Sequence, residues 1–244
     1  MVDSKCINAT HLEAKALANG FRDITFVRTV HMMDGAPVDP SCEYTGMRLY
    51  TRDDLGLQAF FDVGSVASGV PLVGGTKCPW GWEGCTVAIR ETWADVTNRT
   101  SGIKITSGNV IAYKSDGDFR SFGTGDLEIR GGGITSAAGV RWKSAACMPR
   151  RFVRYTATVV CVDVMHVQDL WYGHALLSGF QHLRTDEQQT DSAHREYVRQ
   201  QFAAEWDKQH RGSVCKYGAN PWVWVVACKV GDTGCEAGWR LGVL

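Results

Sequence analysis

Three absences bound what this chain can be. No stretch approaches the ~20 consecutive apolar residues that a membrane-spanning helix requires, and the longest apolar run, Trp222–Cys228, is strand-sized. The opening residues, Met1 to Lys15, hold no apolar run of signal-peptide length; the expected location is therefore intracellular or virion-borne, with secretion as the alternative. Neither sign of charge is in excess, 26 basic residues standing against 26 acidic ones in 244. Nonspecific nucleic-acid binding relies on a basic face that neutralises phosphates, so no nucleic-acid partner is expected. The one dense basic cluster, Arg150, Arg151 and Arg154, reads as a solvated strand edge.

Local signatures of catalysis and of cofactors are missing too. Gly123-Thr124-Gly125 and Gly131-Gly132-Gly133 lack the lysine of a phosphate loop and the strand–helix context of a dinucleotide fingerprint, and read as turns and bulges. There is no C-x-x-C, and no cysteine pair has zinc-site spacing beside a histidine pair. His166, His174 and His182 recur every eight residues. On a helix eight positions end about 80° beyond two full turns, so the three diverge and cannot share a metal. Asp116, Asp118 and Asp126 lack the interleaved spacing of a calcium loop and read as turn aspartates bonded to their own backbone. Cys161 with His174 makes an imaginable nucleophile–base pair, but no nucleophile elbow or partner acid accompanies it. No catalytic residue, cofactor or metal is expected.

What is present is apolar and sulfur-rich. Hydrophobic residues make up 44% and include nine tryptophans, enough to build one large or two small cores without cross-links. The nine cysteines leave at least one thiol unpaired, or paired between chains, under oxidising conditions. Cys161 and Cys228 lie in apolar runs and read as buried thiols, whereas Cys78 and Cys85, bracketing Pro79-Trp80-Gly81-Trp82-Glu83-Gly84, are the candidate disulfide. Two glycosylation sequons begin at Asn8 and Asn98 and favour the secreted alternative.

The periodicities predict an α+β chain. Thr10-His11-Leu12-Glu13 is a capping box, and with Gly20 as its C-cap it predicts a helix over 11–19. Ile24–Val30, rich in β-branched residues, predicts a strand. Residues 44–145 read as a glycine-punctuated antiparallel β region, sandwich- or barrel-like. Its strands are expected at Met47–Thr51, Ala59–Val63, Thr86–Arg90, Ile103–Thr106, Asn109–Lys114, Phe119–Phe122, Asp126–Arg130 and Val140–Lys143. Asp116-Gly117 predicts a primed hairpin turn. Beyond about residue 150 the order becomes β-α-α-β-β: a strand over Arg151–Val164, a helix over 166–183, a helix from Asp191 or Ser192 to Gly212 with Val198, Phe202 and Trp206 as its apolar stripe, then strands over Trp222–Lys229 and Trp239–Leu244. The Trp222-Val223-Trp224 alternation reads as strand packing, with one Trp on each face or against a neighbour. Two regions follow, 1–149 and 150–244, either separate or continuous as one domain. The element order of the second, with Glu205-Trp206-Asp207-Lys208 closing a helix ahead of a strand, resembles that of dynein light chains; it lacks their peptide-groove signature and a full final strand, so the resemblance implies nothing about function here.

The Trp80-Gly81-Trp82 loop is the candidate contact site. Two large aromatics on a loop are costly to leave wet, and Trp is the residue most enriched at binding hot spots; they plug this chain's own core, meet a partner protein or stack on a sugar. The expectation is a non-enzymatic structural or interaction protein, a subunit of a larger assembly such as a viral particle or cellular complex, with protein partners or self-assembly. The alternative is a secreted, disulfide-bonded glycan- or protein-binding protein, or a hydrolase of unrecognised type.

Overall fold

The structure, a computed structural model, describes residues 5–32, 35–50, 56–62, 73–97, 103–105, 109–117, 119–122, 127–129, 140–183 and 192–232. Strand β1 (Lys5–Asn8) leads into helix α1 (His11–Ala18) and strand β2 (Asp23–Thr29). Strands β3 (Glu43–Tyr50), β4 (Gly56–Asp62), β5 (Val73–Lys77), β6 (Thr86–Arg90) and β7 (Trp93–Asp95) follow. Next come β8 (Ile103–Ile105), β9 (Asn109–Tyr113), β10 (Phe119–Phe122), β11 (Leu127–Ile129) and β12 (Tyr155–His166), then helices α2 (Tyr172–Leu177) and α3 (Ser192–Gln209) and strand β13 (Trp222–Asp232). The chain is α+β with mostly antiparallel sheets and, among the described residues, no closed barrel.

The central sheet has the order β1-β6-β12-β13-β2 and takes strands from both sides of residue 150. All its neighbours are antiparallel except β1 and β6. The sheet curls. Its edge strands would lie four spacings of ~4.8 Å apart if it were flat, yet Arg28 Nη2 on β2 donates to Asn8 O at the end of β1 across 2.7 Å. Helix α1 spans that gap. Its capping box forms as expected, the Thr10 N–H donating to Glu13 Oε2 (2.7 Å) and the Glu13 N–H to Thr10 Oγ1 (3.3 Å). The same Glu13 carboxylate receives Arg28 at 2.9 and 2.7 Å. One acidic side chain therefore starts the helix and ties it to the sheet edge.

The inner face of the curl gathers Ile7, Phe26, Ile89, Val159, Trp224 and Val226 into the main core, closed by Leu17 of α1 and Phe61 of β4. The outer face carries Val27, Val223 and Val225 under Phe180 and the α3 stripe Val198, Phe202 and Trp206, all buried. A separate three-stranded sheet, β10-β9-β7, packs through Trp93, Ile111 and Tyr113 against Ala88, Met148 and Phe152. Sheet β3-β4-β5 covers the inner core, and β8 pairs with β11. No described helix is long and apolar enough to cross a membrane.

Several expectations need correction. The helix expected over 166–183 is broken into 3₁₀ turns at Val167–Asp169 and Gln181–Leu183 around the six residues of α2. Gly179 ends it: its φ is +111°, and a Cβ there would sit 2.8 Å from the backbone carbon of Leu12, so only glycine fits. The strand expected from Arg151 begins at Tyr155, because Arg150–Phe152 form a 3₁₀ turn behind Pro149. Of Val140–Lys143 only an isolated bridge, Lys143 to Trp93, is strand-like. The β9–β10 hairpin exists, but its turn is not primed: the Gly117 N–H (φ +73°) reaches back to Tyr113 O at 3.0 Å, closing a wider loop. Trp222 and Trp224, two residues apart, share the inner face, as the period of two demands. Cys228 is buried, but Cys161 is exposed, because the register shifts between Val159 and Cys161. The strand expected over Trp239–Leu244, Asn98, Asp118 and Asp126 lie outside the described residues.

Candidate functional site

A cleft of about 550 Å³ opens where β2 leaves the central sheet. The Val30 N–H still donates to Trp222 O (2.9 Å), but beyond it the chain turns back, His31 bridging Pro37. The end of β5 is pinned to this segment by buried Thr76, whose hydroxyl donates to His31 O at 2.5 Å. Cys78, Pro79 and Trp80 continue from there, and His210, just past α3, forms the far wall. The cleft thus has an apolar lining of Trp80, Trp224, Met32 and Pro79 under a rim of Arg28, Lys77 and two histidines. No carboxylate occurs among its described lining residues.

Both histidines have their tautomer set by a carbonyl, which can only accept. His210 Nδ1 lies 2.9 Å from Trp206 O and so carries a proton, while Nε2, 3.2 Å from Thr29 Oγ1, accepts from that hydroxyl in the neutral ring. The ring also stacks on Trp206 at 4.1 Å. His31 Nδ1 donates to Gly35 O (3.1 Å), leaving Nε2 as the acceptor of the neutral ring. Arg28 is held by Glu13, Val27 O and Asn8 O, so its charge is already balanced. Lys77 is exposed at the rim.

The loop tryptophans separate. Trp80 is half-buried, packed on the main core and lining the cleft. Trp82 is half-buried with Lys5 Nζ 5.6 Å above its ring, and is not among the residues that line the cleft. Cys78 and Cys85 are free thiols, so the candidate disulfide is not formed in this structure. Burial pushes the Cys78 thiol up to about 11 and Cys228 up to about 12, which keeps both protonated and unreactive at neutral pH.

The Cys161–His174 pairing gains no chemical support. Burial, then Asp163 and Glu83, push the exposed Cys161 thiol up, which disfavours the thiolate a nucleophile needs. From the sequence, His174 in the helix expected over 166–183 reads as a hydrogen-bonded core histidine; in the structure it is half-buried and its Nδ1 has no hydrogen-bond partner. Among the described residues no three His, Cys, Asp or Glu side chains gather as metal ligands.

A second charged site was missed by sequence reasoning: of the basic cluster Arg150 and Arg151 are exposed, as a solvated edge would be, but Arg154 is not. Arg154 is 2% exposed. Its Nε and Nη2 grip buried Glu91 at 2.7 and 2.9 Å, Nη1 meets Asp116 at 2.7 Å, and Nη2 donates to Ser115 Oγ at 2.7 Å. The guanidinium lies 4.2 Å from the Tyr113 ring centroid. Burial alone would lower its pKa, but the Glu91 and Asp116 contacts hold it above the ordinary value. Asp116 and Ser115 belong to the β9–β10 turn, so the widened loop is shaped to deliver them to Arg154. The partners lie 63 and 38 residues away, a separation that leaves no local signal.

No family model matches the chain, and no curated protein or solved structure matches it. The likeness to dynein light chains accordingly stays one of element order. What the cleft can do chemically is bounded by its walls: stack a flat or apolar group on Trp80 and neutralise an anion at its rim.

Proposed function

We propose that this chain is a non-enzymatic interaction protein, and that the Trp80 cleft receives a segment of a partner protein carrying one apolar side chain flanked by carboxylates. The observation that carries this reading is the combination of a tryptophan-lined cleft and a cationic rim without a described carboxylate. The apolar lining supplies the anchor pocket, and the rim offers a carboxylate the Lys77 ammonium together with the hydrogen-bonding edges of His31 and His210. The locked tautomers of His31 and His210 suit fixed donors and acceptors better than proton shuttles, since each Nδ1 proton is committed to a backbone carbonyl.

Synthetic hexapeptides with a single Leu or Trp between glutamates, and the same peptides with lysines, provide the test by isothermal calorimetry. Preferential binding of the acidic series, weakened about tenfold or more by Lys77→Glu, is expected. Equal binding of both series, or none, would refute the assignment.

A further inference from the structure

The loop that carries Trp80 begins and ends in a thiol, and both thiols are free in this structure. Cys78 follows β5 and is buried; Cys85 precedes β6 and is half-buried. Each is anchored to a different sheet. The Cys78 N–H donates to Leu57 O of β4 (2.8 Å), while Cys85 O accepts the Val159 N–H of β12 (2.9 Å) and the Gly84 N–H donates to Val159 O (2.8 Å). Between them the chain folds back at Gly81, whose φ of +95° suits glycine. A Cβ on Gly81 would sit 2.8 Å from Cys85 Sγ, and the Trp80 and Gly81 N–H groups point at the Cys78 sulfur. The two sulfurs therefore converge on one glycine, and both side chains pack on the main core. Lys5 Nζ lies 3.4 Å from the same Gly81 position, and its charge opposes the burial that raises Cys78. Cys228 also feels Cys78, but it is buried within β13.

Two thiols of unequal exposure on one tight loop are the elements of thiol–disulfide exchange. We propose that Cys78 and Cys85 form a redox site that takes a small-molecule disulfide as its oxidant, Cys85 reacting first and Cys78 resolving. The Cys85 thiolate attacks one sulfur of the oxidant: a mixed disulfide forms, the oxidant's S–S bond breaks and one small thiolate leaves. Cys78 then gives its proton to water and attacks Cys85 Sγ, expelling the second small thiolate. Both departing thiolates take up protons, so two protein thiols are oxidised while one small disulfide is reduced to two thiols. Burial sets the order. Cys78 is out of solvent and does not meet the oxidant, whereas the Cys85 sulfur reaches it across Gly81, where held geometry replaces diffusion. The link joins the covering sheet β3-β4-β5 to the central sheet, and the ring it closes contains Trp80.

Peptide mapping by mass spectrometry tests this on the full, folded chain incubated with oxidised glutathione, then unfolded and alkylated. The expected result is a matched loss of the Cys78 and Cys85 thiols to a single link between them, which dithiothreitol reverses. Exposed Cys147 and Cys161 serve as the reference for thiols that take glutathione without linking. Cys78→Ser should hold glutathione on Cys85, because the resolving sulfur is gone, and Cys85→Ser should leave Cys78 unmodified. Three wild-type outcomes overturn the assignment: glutathione retained on Cys85 with no link, a link from Cys78 to Cys228, or Cys85 still reduced once Cys147 has reacted. Glutathione on Cys78 in the Cys85→Ser variant overturns the order of attack. The wild-type map needs no substitution, so it decides the matter should either variant misfold.

Discussion

Two places in this molecule collect positive charge, and they treat it in opposite ways. Around Arg154 the guanidinium is sealed from water, gripped by Glu91 at both oxygens and capped by Asp116, Ser115 and the Tyr113 ring. At the Trp80 cleft Lys77 is exposed beside His31 and His210, and no described wall residue is acidic. The first is a cross-link: it clamps the β9–β10 turn onto the start of β12. The second is an open rim with no acidic side chain among its described wall residues. The difference teaches that here the placement of carboxylates, more than the count of cations, separates scaffold from contact surface.

That contrast predicts a graded set of effects. Glu91→Ala strands a buried guanidinium, and removing one partner of such a pair costs about 3–5 kcal/mol; urea melts should show it, and a loss below about 1 kcal/mol would mean the cluster is hydrated. Trp80→Ala should cost about 2 kcal/mol, less than full truncation of a buried aromatic because the side chain is only half-buried, and it should also abolish peptide binding. Lys77→Glu should lie within about 0.5 kcal/mol of wild type, as exposed substitutions do, yet lose the acidic peptide. Were it to destabilise as Glu91→Ala does, the distinction between clamp and contact surface would collapse.

The smallest effect concerns pH. Burial holds His174 below its ordinary value, against the opposing pull of Asp163. Folding therefore favours the neutral ring, and the unfolded chain takes up the proton first as pH drops through about 6.5. This contribution to stability is present above that pH and declines below it, until the folded ring also protonates. His174→Gln should flatten the slope of stability against pH in that window; an unchanged slope would assign it to other groups.

What could be read from the residues alone follows the range of the interactions. The Thr10–Glu13 capping box, the β-branched run of β2, the bounds of β6 and the Val198-Phe202-Trp206 stripe are local and were legible. Strand β5 (Val73–Lys77) contains two glycines and gives no strand signal, and β1 is four residues beside a parallel partner; both escaped notice. Gly179 is unremarkable until Leu12 is seen pressed against it. Trp80 could be singled out as a loop aromatic, but the rest of its cleft comes from residues 28–32, 210 and 224, which only the curl of the sheet brings together. The exposure of Trp171 was hidden because it lies inside the helix expected over 166–183, whereas α2 begins only at Tyr172 and leaves Trp171 as its N-cap.

The most direct test of the account is amide and indole NMR of the chain titrated with an acidic, Trp-anchored hexapeptide. The account predicts shifts of the Trp80 indole N–H and of the His31, Thr76 and Lys77 amides, with the signals of Glu91, Ser115 and Arg154 unmoved. Shifts confined to other surfaces, or none at saturating peptide, would contradict it.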